Sequence, residues 1–374
     1  MKYILPVIFI GFVILSLQAY SQVSNVDDPI YKSIDKRGKA FLKNSNITSV
    51  SIGVFKEGGI YTKHFGEIER GMGNAPTDEI IYEIASVTKT MTGYLAAKAV
   101  LDEKIKLEDD VRSYLNEDYS NLAYEDNPIR IKHLLTHTSG LPMSLPLEMK
   151  GVFDKLSETA PEEYYDLEKS YSKERFVEDL KTIDITTEPG SKYQYSNVGA
   201  ELMGYILEIV YQKSLGELFN ENIFQKAEMP NTAIELSDSQ QEKLVKGYWM
   251  SNGHFSPNSL DKLWGAGSGI KSTLPDLLNY VKFQLDTTNN VVSESHKMLY
   301  TDDNALKIAY YWRVREDRYG RSYNHHGGTS GMQNWLFVFP KYRLGLSIIT
   351  NHSGPKTPNY LGKTVKKILK DIIR

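Results

Sequence analysis

Segments with strand character stand near both ends of this chain, and a long, mostly helical stretch separates them, a distribution that few folds accommodate. Near the start, Ser49-Val50-Ser51-Ile52-Gly53-Val54-Phe55 alternates, Glu57-Gly58-Gly59 carries turn chemistry, and the pattern returns from Ile60 to Phe65, which predicts a hairpin. Late in the chain, strands are expected at Ala309 to Val314, Ser322 to His325, Gln333 to Phe339 and Leu344 to Thr350. Helices are expected over Asp28 to Asn44, Thr90 to Leu115, Ile129 to Leu135, Val198 to Tyr211 and Lys363 to Ile373. Between Pro142 and Pro189 the chain is acidic, aromatic and irregular. Strands this far apart share a sheet only if the helical middle is inserted between them. The expected fold is therefore mixed α/β (α+β type), one antiparallel sheet built from both chain ends, flanked by helices, with a mostly helical inserted region.

With 41% hydrophobic and 24% charged residues over 374 positions, the chain has ample apolar material for a core. The net charge is −3 and no cluster of Lys and Arg rises above the background, so no nucleic acid partner is expected. The absence of cysteine excludes disulfides, thiol chemistry, cysteine metal sites and a lipid-modified cysteine. Lys2, the apolar run from Tyr3 to Leu17 and the small-residue stretch Ala19-Tyr20-Ser21 read as a signal peptide over residues 1–21, hence export to the periplasm or beyond. The rival reading is an uncleaved anchor, which needs about 17 to 25 apolar residues. Membrane contact is expected only through this leader, if it stays. Residues 22–46 then form a lead-in helix, and residues 47–374 a single domain.

Three short motifs carry chemistry. In Ser86-Val87-Thr88-Lys89, a helix opening at Ser86 would put Lys89 on the same face three residues on, where its amine can take the proton of the serine hydroxyl. The same tetrad reads equally as a helix cap and a solvated lysine. In Tyr195-Ser196-Asn197, extended backbone turns the phenol and the carboxamide to one side and Ser196 to the other; alternatively Asn197 is an N-cap. In His325-His326-Gly327-Gly328, an edge strand would put His325 and Gly327 on one face, and a glycine there admits close approach of a ligand. Backbone N–H groups near Gly328, with that of Ser86, could bind an oxyanion. The other reading is a glycine-rich hairpin.

In this order and at this spacing, the motifs resemble those of the serine β-lactamase and penicillin-binding-protein superfamily, in its class C β-lactamase-like branch. Ser86-Val87-Thr88-Lys89 resembles the first family motif, Tyr195-Ser196-Asn197 the Tyr-x-Asn second, and His325-His326-Gly327 the third in a His-x-Gly form. Leu134-Leu135-Thr136-His137-Thr138-Ser139-Gly140-Leu141-Pro142 is similar to a stretch that accompanies them, and the resemblance runs from about Ile47 to the C-terminus. His133 and His137 are read as structural, because the Glu of a His-Glu-x-x-His zinc helix is missing.

The resemblance implies a β-lactamase/transpeptidase-like fold and an acyl-enzyme mechanism. In it Ser86 attacks a carbonyl and Lys89 and Tyr195 share the proton transfers, while Asn197, His325, Gly327 and Gly328 bind substrate or oxyanion. No metal or cofactor is called for. The substrate would be a small molecule or a peptidoglycan-like peptide. His325 stands where a lysine gives a permanent cation for substrate carboxylates, and an imidazole is mostly neutral near pH 7. An ester or peptide-like amide is therefore expected as substrate rather than a penicillin. The alternatives are a β-lactamase or D-alanyl-D-alanine carboxypeptidase, a catalytically weak penicillin-binding or cell-wall-binding protein, and a helical scaffold with coincidental motifs.

Overall fold

The computed structural model describes residues 27–43, 47–154, 157–250 and 253–373. The expected signal peptide, and parts of the lead-in segment, lie outside the described residues. The largest sheet comprises eight strands, β1 (Ser49–Lys56), β2 (Gly59–Gly66), β3 (Tyr300–Thr301), β4 (Lys307–Ile308), β5 (Arg313–Asp317), β6 (Gly320–Gly328), β7 (Gln333–Phe339) and β8 (Leu344–Thr350). They run antiparallel in the order β2-β1-β8-β7-β6-β5-β4-β3. The two ends of the chain join at the β1–β8 pair, with Ile52 opposite Ile348 and Val54 opposite Leu346.

Both faces of the sheet are covered at its centre, which is why β1, β7 and β8 are so apolar. Val50, Ile52, Val54, Leu346 and Ile348 enter one core with helix α1 (Pro29–Phe41) and the closing helix Thr357–Ile372. Leu336, Val338 and Ile349 enter another core, shared with the helical region. Each such side chain, fully buried, contributes about 1.5–3 kcal/mol relative to exposure. Asp28 caps α1 by accepting the Ile30 N–H at 2.7 Å, and Arg37 clamps Asp371 of the closing helix at 2.8 and 2.9 Å.

Four expectations are corrected. The helix expected over Thr90 to Leu115 is helix α2 (Thr88–Leu101), and Val111–Tyr114 is a separate 3-10 turn. The chain leaves α2 because Glu103 takes φ 56° and the Lys104 N–H closes on the Ala99 carbonyl at 2.9 Å. Ala309 to Trp312 is a buried turn between β4 and β5 rather than a strand; Tyr311, at φ 63°, donates its N–H to the Leu135 carbonyl at 2.9 Å. The irregular stretch contains the helices Ala160–Lys169 and Lys173–Leu180. The closing helix begins at Thr357, six residues before Lys363, with Pro358 in its first turn.

Candidate active site

Ser86 lies in a 3-10 turn, Ala85–Val87, between the short strand Ile81–Glu83 and α2, so the helix proper opens two residues after it. The turn is sharp because Ala85 takes φ 47°, a left-handed conformation that costs a residue with a Cβ about 1–3 kcal/mol. Its surroundings hold it: the Ile84 N–H donates to the Ile270 carbonyl at 3.1 Å, and the Asn334 carboxamide donates to the Ile84 carbonyl at 3.1 Å. Lys89, wholly buried, reaches back so that Nζ stands 3.1 Å from Ser86 Oγ. A buried ammonium is tolerated only with good acceptors. It has two more, Asn197 Oδ1 and the Gly267 carbonyl, each at 2.7 Å.

The second motif enters in extended backbone and turns into helix α3 (Asn197–Tyr211). Tyr195 donates its hydroxyl to Ser86 Oγ at 2.8 Å, while Asn197 faces Lys89. Ser196 points the other way and donates to the Pro142 carbonyl at 2.7 Å. The N-cap is Ser196, not Asn197, since Ser196 Oγ accepts the Gly199 N–H at 2.9 Å.

The third motif closes β6. This strand pairs with β5 as far as Asn324 and with β7 through Gly328, so it is interior at first and paired on one side from His325 onward. Gly327 does not make room for a ligand: a Cβ there would stand 2.2 Å from the Ile84 carbonyl, so the glycine lets the Ser86 turn lie directly on the strand. His325 is 4% exposed, and burial together with the Lys89 charge holds its ring well below the usual imidazole pKa. His326, on the opposite face of the strand, packs against Trp335, with Nε2 2.6 Å from Gln333 Oε1, and burial pushes it down to about 4. Both rings are neutral at pH 7.

Ser86, Asn197, His326 and Gly328 line one cavity of about 400 Å³. Met143, Phe153, Tyr164, Trp249 and Pro257 give it apolar and aromatic walls, and Glu168 brings a carboxylate to its lining. Lys89 and His325 are buried and do not line it.

Three contributors were not named as functional from the sequence. His137, held at φ 57°, stacks its ring 4.3 Å from that of Tyr195 and accepts the Ser196 N–H at 3.2 Å. Its carbonyl accepts the Gln194 N–H at 2.7 Å, so the Leu134 to Pro142 stretch forms the bed of the second motif. Its similarity to a family stretch was the available signal. The Gly267 carbonyl and Glu201, behind Lys89, carried no such signal. His133, by contrast, accepts the Arg130 N–H at 3.1 Å and stays with the helix Ile131–Leu135. Among the described residues, no group of three or more His, Asp and Glu side chains is arranged to hold a metal ion.

A family model described as Beta-lactamase matches residues 34–369. The chain is 24% identical over 338 residues to Protein flp of Staphylococcus aureus (strain N315), covering 87% of this chain and 64% of that protein. It is 24% identical over 272 residues to a Beta-lactamase of Escherichia coli (strain K12), covering 72% of this chain and again 64% of the relative. The chain thus spans slightly less than two thirds of the curated relatives it matches. Among solved structures, a beta-lactamase/D-alanine carboxypeptidase from Yersinia pestis complexed with citrate superimposes with a TM-score of 0.78 at 20% identity, over 92% of this chain and 99% of that one. A class C beta-lactamase does so with a TM-score of 0.78 at 18% identity, over 95% and 99%. These likenesses establish the mixed sheet-and-helix fold expected from the strands at both chain ends. With the family model reaching from α1 to the closing helix, the chain belongs to the Beta-lactamase family.

Proposed function

We propose that this protein is an exported serine hydrolase that cleaves an ester or a peptide-like amide with an uncharged, apolar acyl group. The observation that carries the proposal is Ser86 Oγ standing 2.8 Å from the Tyr195 hydroxyl and 3.1 Å from Lys89 Nζ on the lining of an apolar cavity. Ser86 attacks the carbonyl carbon, and its proton passes to the Lys89–Tyr195 pair and on to the leaving oxygen or nitrogen. Water then attacks the acyl-enzyme, returns a proton through the pair to Ser86, and releases the acid. To take that proton the pair must be one proton short, with Lys89 as the neutral amine or Tyr195 as the phenolate. Backbone N–H groups at Ser86 and Gly328 receive the developing oxyanion.

Neutral His326 on the cavity wall favours the ester or amide over a carboxylate-bearing β-lactam. A second reading, β-lactamase or D-alanyl-D-alanine carboxypeptidase activity, is supported by the names of the similar structures. Export rests on the apolar run from Tyr3 to Leu17.

Purified protein lacking residues 1–21 is to be assayed on p-nitrophenyl esters of increasing acyl length and on a chromogenic cephalosporin. Burial of each methylene is worth about 0.8 kcal/mol, so kcat/KM is expected to rise about fourfold per added carbon until the cavity is full. Faster cephalosporin than ester turnover would move the assignment to the second reading.

A further inference from the structure

Behind Lys89 lies a carboxylate that the proposed reaction does not use. Glu201 follows Asn197 by one turn of α3, on the same face of the helix. It is 6% exposed. Its Oε1 accepts the Gly267 N–H at 2.7 Å, and its Oε2 accepts the N–H groups of Trp264 and Ala266 at 3.2 and 3.3 Å. The carbonyl of Gly267 in turn accepts the Lys89 amine.

We infer that Glu201 is a positioning residue for Lys89, acting through the Trp264–Gly267 loop and through its own negative charge. This inference rests on the hydrolase reading.

The geometry is tight on both sides of the loop. A Cβ on Gly267 would stand 2.9 Å from Glu201 Oε1 and 3.5 Å from Lys89 Nζ, so only a glycine lets the backbone pass between carboxylate and amine. Thr92 of α2 holds the same loop from the other side, donating its hydroxyl to the Ala266 carbonyl at 2.7 Å. Of the acceptors around Lys89, Asn197 Oδ1 stands at the start of α3 and the Gly267 carbonyl is fixed by Glu201 one turn later. One helix therefore aims the amine at Ser86.

The charge of Glu201 adds a second effect. Burial raises its carboxyl above the usual range and Lys89 opposes that rise, while Asp261, from the neighbouring loop, reinforces it. Asp261 is itself paired with Lys271. The phenols of Tyr164 and Tyr311 also feel the Glu201 charge and are raised further by it. Lys89 is thus the cation that faces Glu201 across the loop.

The test compares Glu201→Gln and Glu201→Asp with the wild type, reading ester kcat and KM against pH, thermal unfolding and the rate of Ser86 labelling by a fluorophosphonate probe. Glu201→Gln is expected to lower kcat by on the order of tenfold to a hundredfold with little change in KM. Glu201→Asp keeps the charge but shortens the reach to Gly267, so it should lose kcat with KM little changed, and it alone decides the matter if the glutamine variant does not fold. Wild-type kcat and pH profile in the variants, with only a lower Tm, would overturn the inference and leave the hydrolase reading intact. A wild type whose Ser86 takes no label overturns both.

Discussion

The hydroxyl of Tyr195 and the amine of Lys89 approach the same oxygen, Ser86 Oγ, at 2.8 and 3.1 Å, and Lys89 also lies 5.0 Å from the centre of the Tyr195 ring. In the proposed reaction these two groups share the proton that Ser86 gives up as it attacks. The three groups come from a 3-10 turn, the first turn of a helix and an extended segment 109 residues from Ser86.

Removing the phenolic oxygen alone tests the relay. Tyr195→Phe keeps the ring against His137 at 4.3 Å and loses the contact with Ser86. Kcat for a p-nitrophenyl ester is expected to fall by about 10²–10⁴, with the thermal midpoint unchanged. Steady-state kinetics and circular dichroism melting check this, and a drop of less than about tenfold would remove Tyr195 from the proton path.

Gly327 is expected to matter for a reason its motif position does not disclose. Gly327→Ala drives a methyl group to 2.2 Å from the Ile84 carbonyl, which is backbone and cannot swing away. The variant should lose about 1–3 kcal/mol of stability and displace the Ser86 turn, cutting kcat more than it raises KM. Gly216→Ala, in a helix where nothing lies within 4 Å, is the control and should melt at or slightly above the wild type. Equal melting of the two variants would refute the close-approach account.

Buried histidines give the fold an acid-sensitive stability. Burial pushes His296 down to about 3 and His326 to about 4, so both stay neutral when folded and bind a proton on unfolding once the pH is below about 6.5. Their folded-state pKa values are depressed, so the stability they contribute is present above 6.5 and is lost as pH falls toward 4. The slope is at most about 1.4 kcal/mol per pH unit for each group. Glu83 works in the other direction: burial raises it to about 7, and its contribution is lost as pH rises through that value. Thermal unfolding from pH 7 to pH 5 should show a falling midpoint for the wild type and a shallower fall for His296→Phe, whose ring can keep the 3.9 Å stack on Tyr323. Parallel pH profiles would contradict this.

Much of the molecule was legible because its signals are local. Strand alternation in Ser49 to Phe55 and β-branched or aromatic runs in Gln333 to Thr350 report a sheet whose two faces are both buried, whichever strands they pair with. Ser86, Lys89, Tyr195 and Asn197 were singled out because their motifs, taken together and in order, resemble those of one family, and the structure brings the four side chains together. What stayed hidden depends on contacts across the chain. That Ala309 to Trp312 turns instead of pairing follows from a bond to Leu135, which no periodicity reports. The closing of Gly267 between Lys89 and Glu201 joins three segments, and the packing of Gly327 on Ile84 joins two more. A glycine in a motif announces close approach but not what approaches it.

Whether Ser86 forms an acyl-enzyme is read out by rapid quenching of the ester reaction followed by peptide mass spectrometry. One acyl group is expected on the peptide containing Ser86 during turnover, and neither adduct nor turnover in Ser86→Ala. Ester hydrolysis with the acyl group on another residue, or hydrolysis that survives in Ser86→Ala, would contradict it.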